Sequence, residues 1–176
     1  MERAGMLLVY TGQGKGKTTA ALGTVVRAMG WGHKPCVVQY VKGKWQTGER
    51  RFFEKAASLE SLEYHVMGLG FTWESDDISR DKEAARAAWE LSAKKIMSGK
   101  TPLVVLDEIT YVINYGFISL QEVLGVFADR PPSVTVLVTG RKCPEEIMAA
   151  ADLVTEMKDV KHPYKKGYKA LKGVDF

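Results

Sequence analysis

The stretch from Thr11 to Thr19 combines residue types that can hold a polyphosphate. It reads Thr-Gly-Gln-Gly-Lys-Gly-Lys-Thr-Thr and lies between an apolar run and a segment with helical character. Glycines let the backbone turn so that several N–H groups point into one concavity, and a following helix N-terminus adds partial positive charge. Lys17 supplies a full charge, and the Thr18 hydroxyl can reach a bound Mg²⁺. The pattern therefore predicts a P-loop that binds the phosphates of a nucleotide.

This loop departs from the general P-loop pattern at one position. The pattern G-x-x-x-x-G-K-[ST] places a glycine five residues before Gly16, where this chain has Thr11. The alternative interpretation is a glycine-rich strand-to-helix turn without a ligand. Strand, turn, Gly-Lys-Thr and helix occur together in the order that the motif requires, and this favours phosphate binding.

Two acidic residues follow a second apolar run, Leu103 to Leu106. Asp107 and Glu108 would lie at the carboxyl end of a buried strand beside the phosphate loop, as in a Walker B strand. One carboxylate there can hold Mg²⁺ directly or through water. Glu108 could instead orient a water molecule for hydrolysis, and the spacing does not decide between the two roles. The alternative is that these two residues form an exposed acidic turn that has no functional role.

A third candidate segment, residues 67–73, places Phe71 and Trp73 beside two glycines in a predicted loop. Exposed aromatic side chains there indicate a flat apolar ligand or a partner surface, and a loop folded back onto the core is the alternative. Arg27 and Arg141 could each contact phosphate or ribose, although a surface arginine is the commoner finding. The sequence contains no Ser-His-Asp set and so offers no obvious nucleophile. Its histidines and cysteines also lack the spacing of a metal site.

The elements that position these residues alternate between apolar runs and helical patterns. Continuous apolar strands separated by helices indicate a parallel sheet that is covered on both faces. We expect an α/β protein with a three-layer, P-loop NTPase-like (RecA-like) fold and a mainly parallel sheet, in a single domain over residues 1–176. A capping box at Ser119–Glu122 predicts the start of a helix. The predicted strands are 6–10, 36–41, 62–67, 103–106, 134–138 and 153–157, and the predicted helices are 18–29, 77–98, 119–128 and 144–151.

Composition narrows the class of protein. The chain has 176 residues, of which 45% are hydrophobic, and this suits a globular domain with a sizeable core. We expect a cytoplasmic protein without a membrane partner, because no apolar run is long enough to span a bilayer and the first strand begins too early for a signal peptide to precede it. The net charge of +4 is concentrated in residues 158–176, which hold six lysines and two aspartates. Outside this segment, basic and aromatic residues do not alternate as they do in RNA-binding modules, and no nucleic acid partner is expected.

Taken in order along the chain, these motifs closely resemble those of the P-loop type of ATP:corrinoid adenosyltransferase. The resemblance extends from Leu7 to Phe176 and includes the threonine at position 11. It implies that a corrinoid reduced to Co(I) attacks C5′ of the ATP ribose, takes the adenosyl group and releases triphosphate, in adenosylcobalamin biosynthesis or salvage. The cobalt would then be the missing nucleophile. The segments that carry the resemblance are residues 11–21, 38–43, 48–50, 70–74, 105–111, 139–141 and 161–163.

The same resemblance implies roles for residues on the nucleotide side. Mg²⁺ would be bound by Thr18 and Glu108, with Asp107 in support. Lys17 would stabilise the leaving triphosphate, and Arg27 would lie near the nucleotide. The ATP phosphates would be bound by the loop residues Gly12, Gln13, Gly14, Lys15, Gly16, Lys17, Thr18 and Thr19.

On the corrinoid side, the resemblance implies that Phe71 and Trp73 exclude the lower axial ligand, which makes Co(II) easier to reduce. It also implies a homodimer and an electron donor such as a flavoprotein reductase. A P-loop ATPase or small-molecule kinase is the alternative enzyme, and a nucleotide-dependent binding or delivery module is the alternative from another class. The Phe-Thr-Trp segment favours adenosyl transfer, because ATP hydrolysis does not need it.

Overall fold

The computed structural model describes residues 5–41, 43, 46–57, 60–68, 70 and 78–176 of the chain. Strands and helices alternate along these residues, except that two helices separate the fourth and fifth strands, and a short 3₁₀ helix, Pro163–Lys166, follows the last strand. The strands are β1 (Leu7–Thr11), β2 (Cys36–Gln39), β3 (Glu63–Val66), β4 (Leu103–Asp107), β5 (Thr135–Thr139) and β6 (Leu153–Glu156). The helices are α1 (Lys17–Gly30), α2 (Gly48–Ala57), α3 (Ile78–Met97), α4 (Ile109–Asn114), α5 (Leu120–Asp129) and α6 (Glu145–Ala150).

The strands form one sheet in the order β3-β2-β4-β5-β1-β6, and every neighbouring pair is parallel. In the middle of β1, Val9 lies opposite Val138 of β5 and Val154 of β6. The predicted α/β class with a mainly parallel sheet is confirmed. Because all strands run the same way, their carboxyl ends meet at one edge of the sheet, where ligands bind in folds of this kind.

Helices cover both faces of the sheet because side chains alternate between the two faces along each strand. One face packs against α1 and α2, and the other packs mainly against α3, α4 and α5. The apolar cluster on the α1 and α2 face includes Ala21, Leu22, Val25, Val37, Phe53, Val105 and Leu137. The apolar cluster on the opposite face includes Val38, Trp89, Leu106, Ile109, Phe127, Val136 and Val138. The sheet between two helical layers gives the predicted three-layer arrangement.

Two helices were not predicted from the sequence. Helix α2 carries an adjacent pair, Phe52 and Phe53, of which Phe53 is buried and Phe52 is exposed, and most of its other residues are charged, so its apolar signal is weak. Helix α4 has six residues and continues directly from the apolar strand β4. The sequence did not predict it, because a helix this short carries less than two turns of periodic signal.

The predicted capping box at the start of α5 is wrong in its bonding. Ser119 is the N-cap residue, but its side chain makes no capping hydrogen bond. Glu122 instead accepts hydrogen bonds from Trp89 Nε1 at 2.7 Å and from Arg86 Nη1 at 2.7 Å. The carboxylate therefore fastens α5 to α3, since a buried indole N–H needs an acceptor more than an exposed helix terminus does. Within the described ranges, no helix has both the length and the apolarity that crossing a membrane requires.

Candidate functional site

The phosphate loop connects β1 to α1 at the carboxyl edge of the sheet. Gly16 is the N-cap residue of α1 with φ 109°, a conformation that strongly favours glycine, and no side chain caps the helix there. Lys17 Nζ donates hydrogen bonds to the carbonyls of Gly12 at 2.7 Å and Gly14 at 2.6 Å. Burial lowers the pKa of Lys17, and the charge of Arg141 lowers it further, while Glu108 and Asp107 oppose the shift. The loop thus encloses a cation beside an uncapped helix N-terminus, and this combination attracts anions.

A buried carboxylate connects this loop to the middle of the sheet. Asp107, at the end of β4, is 1% exposed. Its Oδ1 accepts hydrogen bonds from the Thr18 hydroxyl at 2.9 Å and the Thr139 hydroxyl at 2.7 Å. Its Oδ2 accepts one from Gln39 Nε2 at 2.8 Å, and Gln39 Oε1 in turn accepts one from the Tyr64 hydroxyl at 2.9 Å. Asp107 therefore sets the position of Thr18 through a network that reaches the edge strand β3.

Glu108 lies next to this network but faces the cleft. Its backbone has φ 64°, a left-handed conformation that costs a non-glycine residue about 1–3 kcal/mol. The Glu108 N–H donates a 2.9 Å hydrogen bond to the Thr139 hydroxyl, which fixes this conformation. Strained backbone conformations cluster at functional sites. Here the conformation turns the Glu108 carboxylate towards the cleft, while the Asp107 carboxylate stays buried.

The loop, the acidic strand end and two further segments surround a cleft of about 820 Å³. Its charged and polar side includes Lys15, Lys17, Thr18, Glu108, Tyr111, Arg141 and His162. Apolar side chains also line it, namely Leu22 and Val26 of α1, Phe52 and Phe53 of α2, and Val174 and Phe176 near the C-terminus. The cleft can therefore accept a polyanion and a flat apolar group side by side.

The structure brings most of the predicted nucleotide-binding residues together. Residues 14–19 and Glu108 line the cleft, and Asp107 lies behind it. Gly12 contributes its carbonyl to Lys17, whereas Gln13 is exposed and is not among the lining residues. Arg27 is exposed in the last turn of α1 and also lies outside the described lining. Phe71 and Trp73 lie outside the described residues.

Arg141, a candidate from the sequence, lines the cleft, whereas several other lining residues had little or no signal in the sequence. Tyr111 and Arg141 follow the carboxyl ends of β4 and β5, and this position in a parallel sheet was the signal available. Phe52 lies on a helix that was not predicted. The approach of residues 173–176 to the loop joins parts of the chain about 160 positions apart, as the Lys15–Asp175 contact shows. No local pattern reveals such a contact.

A second group of potential ligands lies at the other end of β2. Cys36, Glu63 and His65 have ligand atoms within 4.8 Å of one another. The Glu63 carboxylate is already paired with Lys95 Nζ at 2.6 Å, and burial raises the pKa of Cys36 to about 12. A neutral thiol and a carboxylate neutralised by lysine are a poor site for a cation. The phosphate-loop cleft is the better candidate for a metal ion.

Comparison with known proteins identifies the family of this chain. The profile of the family described as "ATP:corrinoid adenosyltransferase BtuR/CobO/CobP" matches residues 3–176. A "Corrinoid adenosyltransferase" of Pseudomonas aeruginosa is 46% identical over 175 residues, which cover 99% of this chain and 85% of that protein. The "Corrinoid adenosyltransferase CobA" of Salmonella typhimurium is 42% identical over 175 residues, with 99% and 87% covered. The "Corrinoid adenosyltransferase" of Escherichia coli K12 is 41% identical over 175 residues, which cover 99% of this chain and 87% of that protein.

These similarities span the phosphate loop, the acidic strand end and the C-terminal residues that line the cleft. The alternative of a P-loop ATPase or small-molecule kinase is not favoured. The chain belongs to the ATP:corrinoid adenosyltransferase family BtuR/CobO/CobP, and it is a transferase that moves an adenosyl group from ATP to a corrinoid.

Proposed function

We propose that the cleft aligns ATP with a Co(I) corrinoid so that cobalt attacks C5′ of the ribose. The cobalt–carbon bond forms, the C5′–O bond breaks, and inorganic triphosphate leaves with the electron pair of that bond. The observation that carries this proposal is the meeting of a phosphate loop with an apolar wall in one cleft. The nucleophile in this proposal is the cobalt of the substrate, so the chain does not need to supply one.

The leaving triphosphate is the group that this chain must stabilise. The N–H groups of residues 15–19 and the Lys17 ammonium bind its oxygens, and Arg141 adds a second cation. Lys17 now donates to two loop carbonyls, which phosphate oxygens replace when ATP binds. Donors that are already in place at the developing charge lower the barrier without reorganisation during the reaction.

Mg²⁺ fits the residues present at the loop. The Thr18 hydroxyl and the Glu108 carboxylate both line the cleft, and hard oxygen donors of this kind suit the ion. Asp107 already accepts three hydrogen bonds, so it supports the site by orienting Thr18. When bound, Mg²⁺ would neutralise charge on the leaving triphosphate.

The corrinoid side of the site is proposed to include Phe71 and Trp73, as the family resemblance implies. The described lining supports an apolar surface nearby, because Val26 is 50% exposed and Phe52 is 61% exposed. Exposed apolar side chains that line a cleft indicate a ligand of matching character. The aromatic pair would keep the lower axial ligand away from cobalt.

Several further properties belong to the same proposal. The reaction consumes Co(I), so we infer an electron donor such as a flavoprotein reductase, and we propose a homodimer and a single domain over residues 1–176. A cytoplasmic location is supported by the two cysteines, Cys36 and Cys143, which are free thiols. Arg27 is retained as a residue near the nucleotide.

Anaerobic turnover tests the reaction directly. The protein is mixed with Mg-ATP and a corrinoid held chemically at Co(I), and the products are separated. Adenosyl-corrinoid and triphosphate in equal amounts are expected. ADP and phosphate without a cobalt–carbon bond would contradict the proposal.

A further inference from the structure

The last residues of the chain, 171–176, fold into a compact turn beside the phosphate loop. The N–H groups of Val174 and Asp175 donate to the Leu171 carbonyl at 3.1 Å and 2.8 Å, and the Gly173 N–H donates to the Phe176 carbonyl at 2.8 Å. The Leu171 N–H donates to Asp175 Oδ2 at 2.7 Å. This C-terminal turn therefore has a defined shape although most of its side chains are exposed.

Two observations place the C-terminal turn at the ATP cleft. Asp175 Oδ1 accepts a hydrogen bond from the Lys15 ammonium, which belongs to the phosphate loop. Residues 173–176 line the same cleft as the loop and helix α2. The Leu171 N–H and the Lys15 ammonium hold the pKa of Asp175 below its ordinary value, and the charge of His162 acts in the same direction. Both carboxylate oxygens are thus engaged, one within the turn and one with the loop.

A carboxylate at the edge of a polyphosphate site needs a physical reason, because like charges repel. Lys15 supplies one. Its ammonium has three donors, and its side chain remains 46% exposed while it is bonded to Asp175. It can therefore hold the carboxylate and a phosphate oxygen at the same time.

Fixing Lys15 in advance also lowers the cost of binding. A free lysine side chain loses rotamer entropy when a ligand immobilises it. The bond to Asp175 removes part of that entropy before ATP arrives. The C-terminal turn is itself held by four internal hydrogen bonds, so it is a firm support for the carboxylate.

We propose that Asp175 is a positioning residue of the ATP site, which holds Lys15 at the mouth of the phosphate loop and makes the C-terminal turn one wall of that site. The inference rests on the proposed function in assigning the ATP triphosphate to the loop. Asp175 acts through Lys15 and does not touch the reacting atoms.

Calorimetric titration with inorganic tripolyphosphate and with Mg-ATP tests this role. Asp175→Asn is expected to weaken both affinities about fivefold, the scale of one partly exposed ion pair. Lys15→Ala should weaken them at least as much, and the double variant no more than Lys15→Ala alone. Asp175→Glu should recover part of the loss. Lys172→Ala, a change on the same turn outside the cleft lining, is the matched control and should bind as the wild type does.

The kinetic and thermal readouts separate positioning from a structural role. Asp175→Asn should raise KM for ATP more than it lowers kcat, with an unchanged Tm. Tighter tripolyphosphate binding by Asp175→Asn would show that the carboxylate competes with the ligand, and would overturn the proposal. Unchanged binding, or additive losses in the double variant, would overturn it as well. If the wild type forms no adenosyl-corrinoid, the proposed function fails, while the tripolyphosphate affinities still decide the role of Asp175.

Discussion

The Gly14 N–H donates a 2.6 Å hydrogen bond to the Met157 carbonyl, and this bond joins the phosphate loop to the chain that leaves β6. The approach is so close that a Cβ at Gly14 would lie 2.6 Å from the Lys158 carbonyl oxygen and 2.7 Å from that of Met157. The glycine is therefore needed for packing between distant parts of the chain as well as for a loop that admits phosphate. A glycine-rich motif carries both constraints at once.

Gly14→Ala should destabilise the protein and weaken ATP binding together, because backbone atoms of residues 157 and 158 must move. Overpacking of this kind costs about 1–3 kcal/mol. Urea unfolding and ATP titration measure the two effects. Gly125→Ala, in α5, is the control, because a Cβ there meets nothing within 4 Å. That change should stabilise the protein by about 0.5–1 kcal/mol. Equal stability of the two variants would contradict the packing role of Gly14.

Asp107→Asn should impair both stability and turnover. An amide in place of the carboxylate turns an NH₂ group towards donors from Thr18, Thr139 or Gln39. Leaving buried donors unsatisfied costs about 1–3 kcal/mol. The unfolding free energy and kcat of the variant check this expectation. Tyr64→Phe removes only the outermost hydrogen bond of the network and should have the smaller effect; the reverse order would argue against a network centred on Asp107.

The sequence predicted the parallel sheet and the phosphate loop because their signals are local. The apolar run of β1, the glycine-rich turn and the Gly-Lys-Thr at the start of α1 follow one another within about a dozen residues. The network around Asp107 was not predictable, since Gln39 and Tyr64 reach it through strand pairing. The contact between Lys15 and Asp175 depends on how the whole chain folds back. Helix α2 escaped prediction because Phe52 and Phe53 are adjacent and face different surroundings.

Lys17→Ala should lower kcat/KM for adenosyl transfer by a factor that corresponds to several kcal/mol, because the proposed role of the lysine is to stabilise charge on the leaving triphosphate. Steady-state kinetics with chemically reduced corrinoid measures this loss. Lys94→Ala, an exposed lysine near the end of α3, is the matched control and should leave kcat/KM unchanged. An unaltered kcat/KM in Lys17→Ala would remove the lysine from the mechanism.

The two cysteines should make stability fall at high pH. Burial raises the pKa of Cys143 to about 11 and that of Cys36 to about 12, from an ordinary value of 9.0. The folded state disfavours the thiolates, so stability is complete below pH 9 and is lost as pH rises from there through the folded values. Iodoacetamide at pH 8 should label the native protein far more slowly than the urea-unfolded chain. Cys143→Ala isolates the reaction of Cys36, and fast labelling of that variant in the native state would contradict its burial.

Trp73→Ala should impair turnover from Co(II) corrinoid more than turnover from chemically supplied Co(I). The reason is that the proposed role of the aromatic pair is to remove the lower axial ligand, which matters for reduction of Co(II) and not for the attack of Co(I) on C5′. Parallel assays with the two oxidation states measure the ratio of the losses. Trp31→Ala is the matched control, because Trp31 is 82% exposed at the end of α1 and should tolerate the change in both assays. Equal losses for Trp73→Ala under the two conditions would mean that the tryptophan supports the fold or substrate binding in general. A loss confined to the Co(II) assay would assign it to the reduction step, because only that assay includes the reduction of Co(II).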